Sequence, residues 1–251
     1  MTIDYLHAAN AHTCEGARAG YRYIKALAQE PITSLIDVGC GTGTWLRAAL
    51  DAGVTEVLGV DGVMAPASEL AVPTAYIQST DLTAPLNLGR RFSIALCLEV
   101  AEHLEAAHGP RLVQSLTNHA DTVVFSAACP NQPGQHHVNC QWPEYWQQIF
   151  NAQGYTCDDS IRWAMWTESK IEPWYRQNIF IARRAFDKAG KEPRLRAVLH
   201  PEMISLLNSQ RKQQLRQIEN GAMPLFWYFT TIPNAVVAKI YRRLCGRTFT
   251  G

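Results

Sequence analysis

Residues 35–45, LIDVGCGTGTW, decide the fold: an apolar run leads into three glycines separated by single residues and then into a helical pattern. Glycine adopts positive φ and has no Cβ, so a ligand can approach the main chain closely at such a turn. A strand, a glycine turn and a helix together predict a binding site for a nucleotide-containing cofactor. Asp37 and Gly43 frame that turn.

The spacing of the glycines separates the cofactor classes. The dinucleotide pattern G-x-G-x-x-G requires glycine where Thr44 stands, and the phosphate-binding loop requires a Gly-Lys-Ser/Thr that is absent here. The remaining pattern, DVGCGTG, resembles the first motif of class I S-adenosylmethionine-dependent methyltransferases. That resemblance covers about residues 30–184 and implies a Rossmann-like α/β fold with S-adenosylmethionine as cofactor. It also implies a mostly parallel seven-stranded sheet, helices on both faces, and an antiparallel last strand.

Later segments follow in the family's order. Residues 57–61 predict a second strand ending in Asp61, about 20 residues after the glycines, where a carboxylate can accept both ribose hydroxyls. After a third strand over 74–79, Asp81 and Leu82 match the family's adenine-contacting positions, and a fourth strand over 92–98 ends in EVAEHL beside the methionine position. The resemblance implies these cofactor-binding residues: Asp37, Gly39, Cys40, Gly41, Gly43, Asp61, Gly62, Asp81, Leu82, Leu98 and Glu99.

Each acid alone has a simpler interpretation, because aspartate at a strand end commonly caps a turn. The order and spacing of the whole set favour the methyltransferase interpretation. We expect Cys40 and Trp45 to contribute packing rather than chemistry.

The remaining strand and helix patterns predict a parallel sheet covered by helices. Residues 16–29, 45–52, 143–150 and 202–219 are predicted helices, and residues 122–128, 155–166 and 174–183 are predicted strands. A polar loop over 129–141 follows the fifth strand, where such loops line the ligand crevice. We divide the chain into a helical segment 1–30 that covers the cofactor site, a core 31–184 and a helical extension 185–251.

Composition bounds the partners and the compartment. The 251 residues are 47% hydrophobic, enough for one main domain, and the near balance of 23 Lys and Arg against 22 Asp and Glu disfavours nucleic acid as a partner. Seven scattered cysteines without a Cys-x-x-Cys pair fit a reducing compartment. With neither a signal peptide nor an 18-residue apolar run, the chain is predicted to be cytoplasmic.

A candidate metal site follows the fourth strand. Glu99, Glu102 and His103 would share one face if the segment is helical, and carboxylates with imidazole suit Mg²⁺ or Mn²⁺. Glu-x-x-Glu-His with a later histidine is similar to the magnesium site of small-RNA 2′-O-methyltransferases and ubiquinone-pathway O-methyltransferases, which implies His137 as the fourth ligand. The alternative interpretation has no metal: Glu99 lines the cofactor pocket, and Glu102 and His103 only begin a helix.

The acceptor's proton is the main chemical question, since an alcohol needs a base or a metal ion and an amine with a free lone pair does not. His137 is the first candidate base and His136 the second, and His103 completes the candidate catalytic set. Nearby aromatic side chains could stack on a sugar or pack in the core: Trp142, Tyr145 and Trp146.

The end of the chain is a separate feature. Residues 222–245 combine aromatic residues with a basic end, which suits a peripheral membrane anchor, a dimer contact or a substrate lid. Pro224 and Pro233 predict that no single long helix forms there.

The sequence therefore predicts a methyltransferase that acts on a hydroxyl of a small molecule or glycan. N-methylation of a small amine, 2′-O-methylation of RNA and a cofactor-binding partner without turnover remain as alternatives. The RNA alternative would require a basic groove, which the balanced charge does not indicate.

Overall fold

A seven-stranded sheet forms the centre of the computed structural model, which describes residues 6–7, 13–220 and 222–245. The strands are β1 (Ser34–Val38), β2 (Glu56–Asp61), β3 (Ile77–Ser79), β4 (Ile94–Leu98), β5 (Thr122–Ser126), β6 (Tyr155–Asp158) and β7 (Phe180–Arg184). Their order is β3-β2-β1-β4-β5-β7-β6, with β1 to β5 parallel and β7 antiparallel to both neighbours. The predicted Rossmann-like α/β fold is confirmed.

Eight α-helices accompany the strands in the described residues. They are α1 (Cys14–Leu27), α2 (Thr44–Asp51), α3 (Gly109–His119), α4 (Pro143–Ala152), α5 (Ser160–Met165), α6 (Pro173–Asn178), α7 (Pro201–Glu219) and α8 (Leu225–Cys245). Every residue of β1 and β4 is buried, as expected for central strands of a parallel sheet covered on both faces.

Two hydrophobic clusters lie against the sheet. One includes the rings of Phe125, Trp146, Phe150 and Phe180, with centroids between 5.2 and 5.8 Å apart in the contacting pairs. Trp146 is 1% exposed, so it packs in the core and does not stack on an acceptor. The second cluster includes side chains from α1, α2 and α5.

The N-terminal helix α1 is built into this core. The N–H of Gly16 donates to Thr13 Oγ1 at 2.9 Å, which caps the helix. The Thr13 N–H and hydroxyl both donate to Glu172 Oε1, at 2.8 and 2.9 Å. Gly20 lies directly against the Trp45 ring, since a Cβ there would approach the ring to 2.5 Å.

Three predicted strands were too long because helical turns occupy part of each. In the strand predicted over 74–79, a 3-10 turn covers Thr74–Tyr76 and β3 begins only at Ile77. The strand predicted over 155–166 ends at Asp158, whose carboxylate accepts from the Ser160 N–H and hydroxyl at 2.9 and 2.7 Å and so turns the chain into α5. The strand predicted over 174–183 begins only at Phe180. Pro173 starts α6 instead, because proline is well suited to a first helical turn.

The chain forms two compact units, residues 1–203 and 204–251. The first extends beyond the boundary at 184 that the sequence suggests. Glu192 Oε1 accepts from Gln147, Asn151 and Cys157 at 3.0, 2.6 and 3.1 Å, and Leu195 is buried. These contacts attach the segment after β7 to the sheet unit.

The second unit contains α8, which continues through Pro233. The prediction that Pro233 breaks this segment is therefore wrong, although Pro224 does precede the helix. Proline removes one N–H and kinks a helix, but the remaining backbone bonds of a 21-residue helix can continue on either side. Among the described helices, none has both the length and the apolar character needed to cross a bilayer.

Candidate active site

The glycine turn after β1 has the geometry that the sequence predicts. Gly39, Gly41 and Gly43 have φ of +80°, +53° and +78°, a region that side-chain-bearing residues rarely adopt. A Cβ at Gly39 would overlap Val100, and one at Gly43 would lie 2.9 Å from a Val72 methyl group. Backbone conformation and packing both require glycine at these two positions.

Asp61 joins this turn to the loop after β2. Its Oδ2 accepts from the Gly41 N–H and its Oδ1 from the Val63 N–H, both at 2.8 Å. Gly62 between them is exposed, and a Cβ there would have only the Thr80 carbonyl within 4 Å, at 3.8 Å. The space beside Gly62, the residue after Asp61, is therefore open.

Asp37, at the start of the turn, is buried. It is 2% exposed, and its Oδ2 has no hydrogen-bond donor among the described residues. Burial, with a smaller contribution from the charge of Asp61, raises the pKa of Asp37 to about 8. A buried acceptor beneath a cradle of positive-φ glycines fits a cofactor that carries donor groups, as S-adenosylmethionine does.

The other predicted cofactor-contacting residues differ in how deeply they are buried. Cys40 is 7% exposed and its sulfur packs where a Cβ at Gly59 would stand, so its side chain serves packing, as expected. Leu98 is buried and Leu82 half-buried in the two clusters. Asp81 is exposed and accepts from the Thr83 N–H and hydroxyl at 2.9 and 2.6 Å, which lowers its pKa. The adenine contact of Asp81 and Leu82 stays a prediction.

Glu99 stands at the end of β4 in a network of amides. Its Oε2 accepts from Gln132 Nε2 at 2.6 Å and its Oε1 from Asn178 Nδ2 at 3.1 Å. The main chain of Glu99 has φ of +57°, and its N–H donates to the Ser126 carbonyl at 3.0 Å. Burial raises the pKa of Glu99 to about 7, although these amide donors favour its ionised form.

Glu102, His103 and His137 form a three-residue group in which one ligand atom from each lies within 4.8 Å of the others. Glu102 is fully buried, and neither of its carboxylate oxygens has a donor in hydrogen-bond geometry among the described residues. Burial and then the charge of Glu99 raise the pKa of Glu102 well above its usual range. Burial lowers the pKa of His103 to about 4 and also lowers the pKa of His137.

This arrangement differs from the predicted helical face. A short 3-10 turn covers only Ala101–His103, and Glu99 precedes it with a left-handed backbone, so Glu99, Glu102 and His103 do not share one side of a helix. Glu99 interacts with Glu102 but lies outside the three-residue group. The side-chain amides of Gln132 and Asn178 hold the Glu99 carboxylate in place.

The loop over 129–141 brings His137 to this group. The Val138 and Asn139 N–H groups both donate to the Glu102 carbonyl, at 2.9 and 3.0 Å, and hold the loop against the end of β4. His137 Nδ1 lies 3.0 Å from the Gln132 carbonyl, which can only accept, so Nδ1 carries the proton and Nε2 keeps its lone pair. The His137 ring occupies the space that a Cβ at Gly134 would take.

His136 has a different position from His137. It is exposed, has φ of +50° and does not belong to the three-residue group. Its candidate role as base stays a prediction.

Sequence reasoning did not identify several residues at this edge. Gln132 was only part of a polar loop, and Asn178 lay within a segment predicted as a strand. The pair Leu6–His7 was also missed: Leu6 exchanges hydrogen bonds of 3.1 and 3.0 Å with the Gln135 side chain, and His7 Nε2 lies 2.6 Å from the Val63 carbonyl. This short segment therefore contacts both the loop after β2 and the loop over 129–141.

Comparisons with known proteins agree with this geometry. Residues 16–168 match the family model described as a methyltransferase domain. A comparison with curated protein sequences gives no match.

Solved structures share the fold at low identity. The sugar N-methyltransferase KedS8 from Streptoalloteichus sp. ATCC 53650 has a TM-score of 0.53 and 17% identity over 74% of this chain and 96% of its own. The amino pentose methyltransferase CalS10 from Micromonospora echinaspora gives 0.51 and 17%, over 74% and 99%. The magnesium protoporphyrin IX methyltransferase from Synechocystis PCC 6803 gives 0.50 and 18%, over 68% and 83%. The chain therefore belongs to the methyltransferase-domain family and has the Rossmann-like fold with which such enzymes bind S-adenosylmethionine.

Proposed function

We propose that this S-adenosylmethionine-dependent methyltransferase acts on a hydroxyl of a small molecule or glycan. The observation that carries the proposal is His137, a neutral imidazole at the carboxyl edge of the sheet, beside Glu102 and His103. S-adenosylmethionine supplies an electrophilic methyl group when bound. The residues of the chain must then position the acceptor and remove its proton.

His137 is suited to take that proton. Its Nδ1 donates to the Gln132 carbonyl, which fixes the ring and leaves Nε2 as the acceptor. Burial lowers the pKa of His137, which favours the neutral ring. A neutral, oriented imidazole can accept the hydroxyl proton as the oxygen becomes methylated.

The same group could hold a divalent cation through Glu102, His103 and His137. One buried carboxylate and two imidazoles suit Mn²⁺ better than Mg²⁺, which prefers oxygen ligands, and a cation held there would lower the pKa of an acceptor hydroxyl. Cation binding requires Glu102 to lose its proton, so affinity should increase with pH.

Two aromatic residues of the same unit, the exposed Trp163 and the half-buried Trp166, suit a ring-shaped acceptor. Trp163 and Trp166 on and after α5 have ring centroids 5.0 Å apart, and Trp166 packs against His200 at 4.5 Å. The His200 N–H donates to Gln177 at 2.8 Å, and Gln177 contacts Asn178 of the Glu99 network at 3.1 Å. Indole faces pack well against sugar and aromatic rings.

The test compares dialysed enzyme on matched hydroxylated and aminated glycosides, with and without EDTA, and locates the new methyl group by mass spectrometry. We expect His137→Ala to lower turnover on the hydroxyl acceptor by about two to four decades with unchanged cofactor affinity. If His137→Ala and His136→Ala both keep more than about a tenth of turnover, neither histidine is the base.

The cation part has its own measurement. Mn²⁺ binding, followed by electron paramagnetic resonance, should be lost in Glu102→Gln and retained in Glu105→Gln, an exposed residue of the next turn. Full turnover in EDTA would contradict a required cation and leave His137 as a simple base.

N-methylation of an amino sugar is the second candidate. Glu99, held by Gln132 and Asn178, presents a carboxylate that could accept a hydrogen bond from the N–H of a neutral amine and leave its lone pair free for the methyl group, and two of the similar structures are named as amino-sugar or sugar N-methyltransferases. Methylation of the aminated glycoside alone would favour this candidate.

A further inference from the structure

Helix α8 has an exposed apolar side. Six of its large apolar side chains are between 49% and 78% exposed: Leu225, Phe226, Phe229, Ile232, Val236 and Val237. Four of them, at positions 225, 229, 232 and 236, recur at helical spacing and form one stripe. Exposed apolar patches of this kind mark interaction surfaces.

The charge of the second unit is strongly asymmetric, which the balanced total of the chain conceals. Residues 204–251 contain seven lysines and arginines and a single acidic residue, Glu219, for a net charge of +6. The first unit, residues 1–203, therefore carries −5, because the whole chain carries +1.

Charge and apolarity are also segregated along the second unit. Residues 220–238 contain no charged side chain, whereas Lys239, Arg242 and Arg243 follow within α8 and Arg211, Lys212 and Arg216 lie on α7. An uncharged aromatic stretch next to basic residues is typical of helices that lie in a membrane interface.

We propose that α8 binds the surface of an anionic membrane, with its apolar stripe inserted below the headgroups and the basic residues against the lipid phosphates. The helix lies in the interface and does not span it, in agreement with the absence of a spanning helix among the described residues. A positively charged unit is attracted to such a surface by about 1 kcal/mol for each nearby lysine or arginine.

Two other occupants fit the observations less well. A nucleic acid would pair with the basic residues but would leave the phenylalanine, isoleucine and valine side chains exposed to water, since phosphate contacts need cations. A second copy of the unit would bring another net charge of +6 against the first, and that repulsion opposes a dimer. An anionic bilayer satisfies both the apolar and the basic features.

The test is sedimentation of the full-length protein with phosphatidylcholine vesicles, with and without about 30% phosphatidylglycerol. We expect binding to the anionic vesicles and little to the neutral ones. Phe226→Ser with Phe229→Ser should weaken binding by about tenfold or more, because two exposed aromatic rings that the bilayer would bury are lost. Arg242→Gln with Arg243→Gln should weaken it by about fivefold for each charge.

Matched control variants distinguish binding through α8 from nonspecific binding of the protein to vesicles. Phe186→Ser removes an equally exposed ring, 67% exposed, from the first unit, and Lys188→Gln with Lys191→Gln removes two exposed charges there. Both control variants should bind vesicles as the wild type does. All variants should retain cofactor affinity, so the result is independent of the proposed acceptor chemistry.

Two outcomes would overturn the proposal: absence of binding to anionic vesicles, and equal loss of vesicle binding in the control variants. If vesicle binding is absent, self-association or RNA binding that the Phe226 and Phe229 changes abolish would identify the occupant of this surface instead.

Discussion

Asp61 illustrates how one side chain can serve both the fold and a ligand. Its two oxygens already accept from Gly41 and Val63, which leaves further lone pairs on the same atoms for ribose hydroxyls. The turn-capping interpretation of this aspartate and the cofactor interpretation are therefore both compatible with its geometry.

Asp61→Ala should weaken S-adenosylmethionine binding by roughly one to two decades, because hydroxyl donors and the Gly41 N–H lose their acceptor. Titration calorimetry measures the effect. Asp158→Ala is the matched control, since Asp158 also caps a turn two residues ahead. Unchanged affinity in both Asp61→Ala and Gly41→Val would contradict the cofactor site.

Asp37 should make stability depend on pH. Its pKa is about 8 in the folded chain against 3.8 as the ordinary value, so between these values the folded state holds a proton that the unfolded state has lost. The free energy of unfolding should therefore fall as pH rises from about 4 to about 8, by about 1 kcal/mol per pH unit.

Asp37→Asn should remove this dependence, so the variant gains stability relative to the wild type as pH rises. Urea unfolding of the cofactor-free protein at several pH values measures it. Asp51→Asn is the opposite control: ion pairing lowers the pKa of Asp51, so its contribution is lost as pH falls. If the free energy of unfolding depends on pH in the same way for the wild type and Asp37→Asn, the raised pKa of Asp37 is contradicted.

At the scale of elements, the loop over 129–141 determines where the candidate base lies. Its two N–H bonds to the Glu102 carbonyl fix the loop, and Gly134 provides the space for the His137 ring. The same backbone contacts thus position the candidate base His137 and the three-residue group to which it belongs.

Gly134→Ala should reproduce much of the His137→Ala loss in turnover, at least about tenfold, because the new methyl group overlaps the imidazole. Cofactor affinity should stay unchanged. Pro133→Ala, in an exposed position of the same loop, is the control and should keep wild-type turnover. Equal turnover of Gly134→Ala and wild type would show that the position of the His137 ring does not affect methyl transfer.

The sequence predicts β1, the glycine turn and α2 well, because the apolar run and the glycines are local signals. It fails at α5 and α6, where apolar and aromatic residues suit either a strand or a helix, and only the Asp158 turn and Pro173 decide. Asn178 could not be placed near Glu99, since 79 residues separate them and the antiparallel β7 brings them together.

At the scale of the whole molecule, every candidate cofactor and catalytic residue lies in the unit 1–203. A chain ending at Met203 should therefore bind S-adenosylmethionine within about twofold of the full chain, as measured by calorimetry. A chain ending at Arg184 should be much less stable, because it lacks the Glu192 contacts and the buried Leu195. Normal stability of the shorter chain would contradict this boundary.

The opposite charges of the two units, −5 and +6, have a consequence for handling the protein. With a sequence pI of about 7.6, it is nearly neutral on average in ordinary buffers, yet each unit carries a strong net charge. At low salt it should be retained by both anion and cation exchangers, and oppositely charged units of different molecules should attract each other and reduce solubility. Added salt screens that attraction, so the protein should salt in, and a moderately saline buffer is the right starting condition for purification.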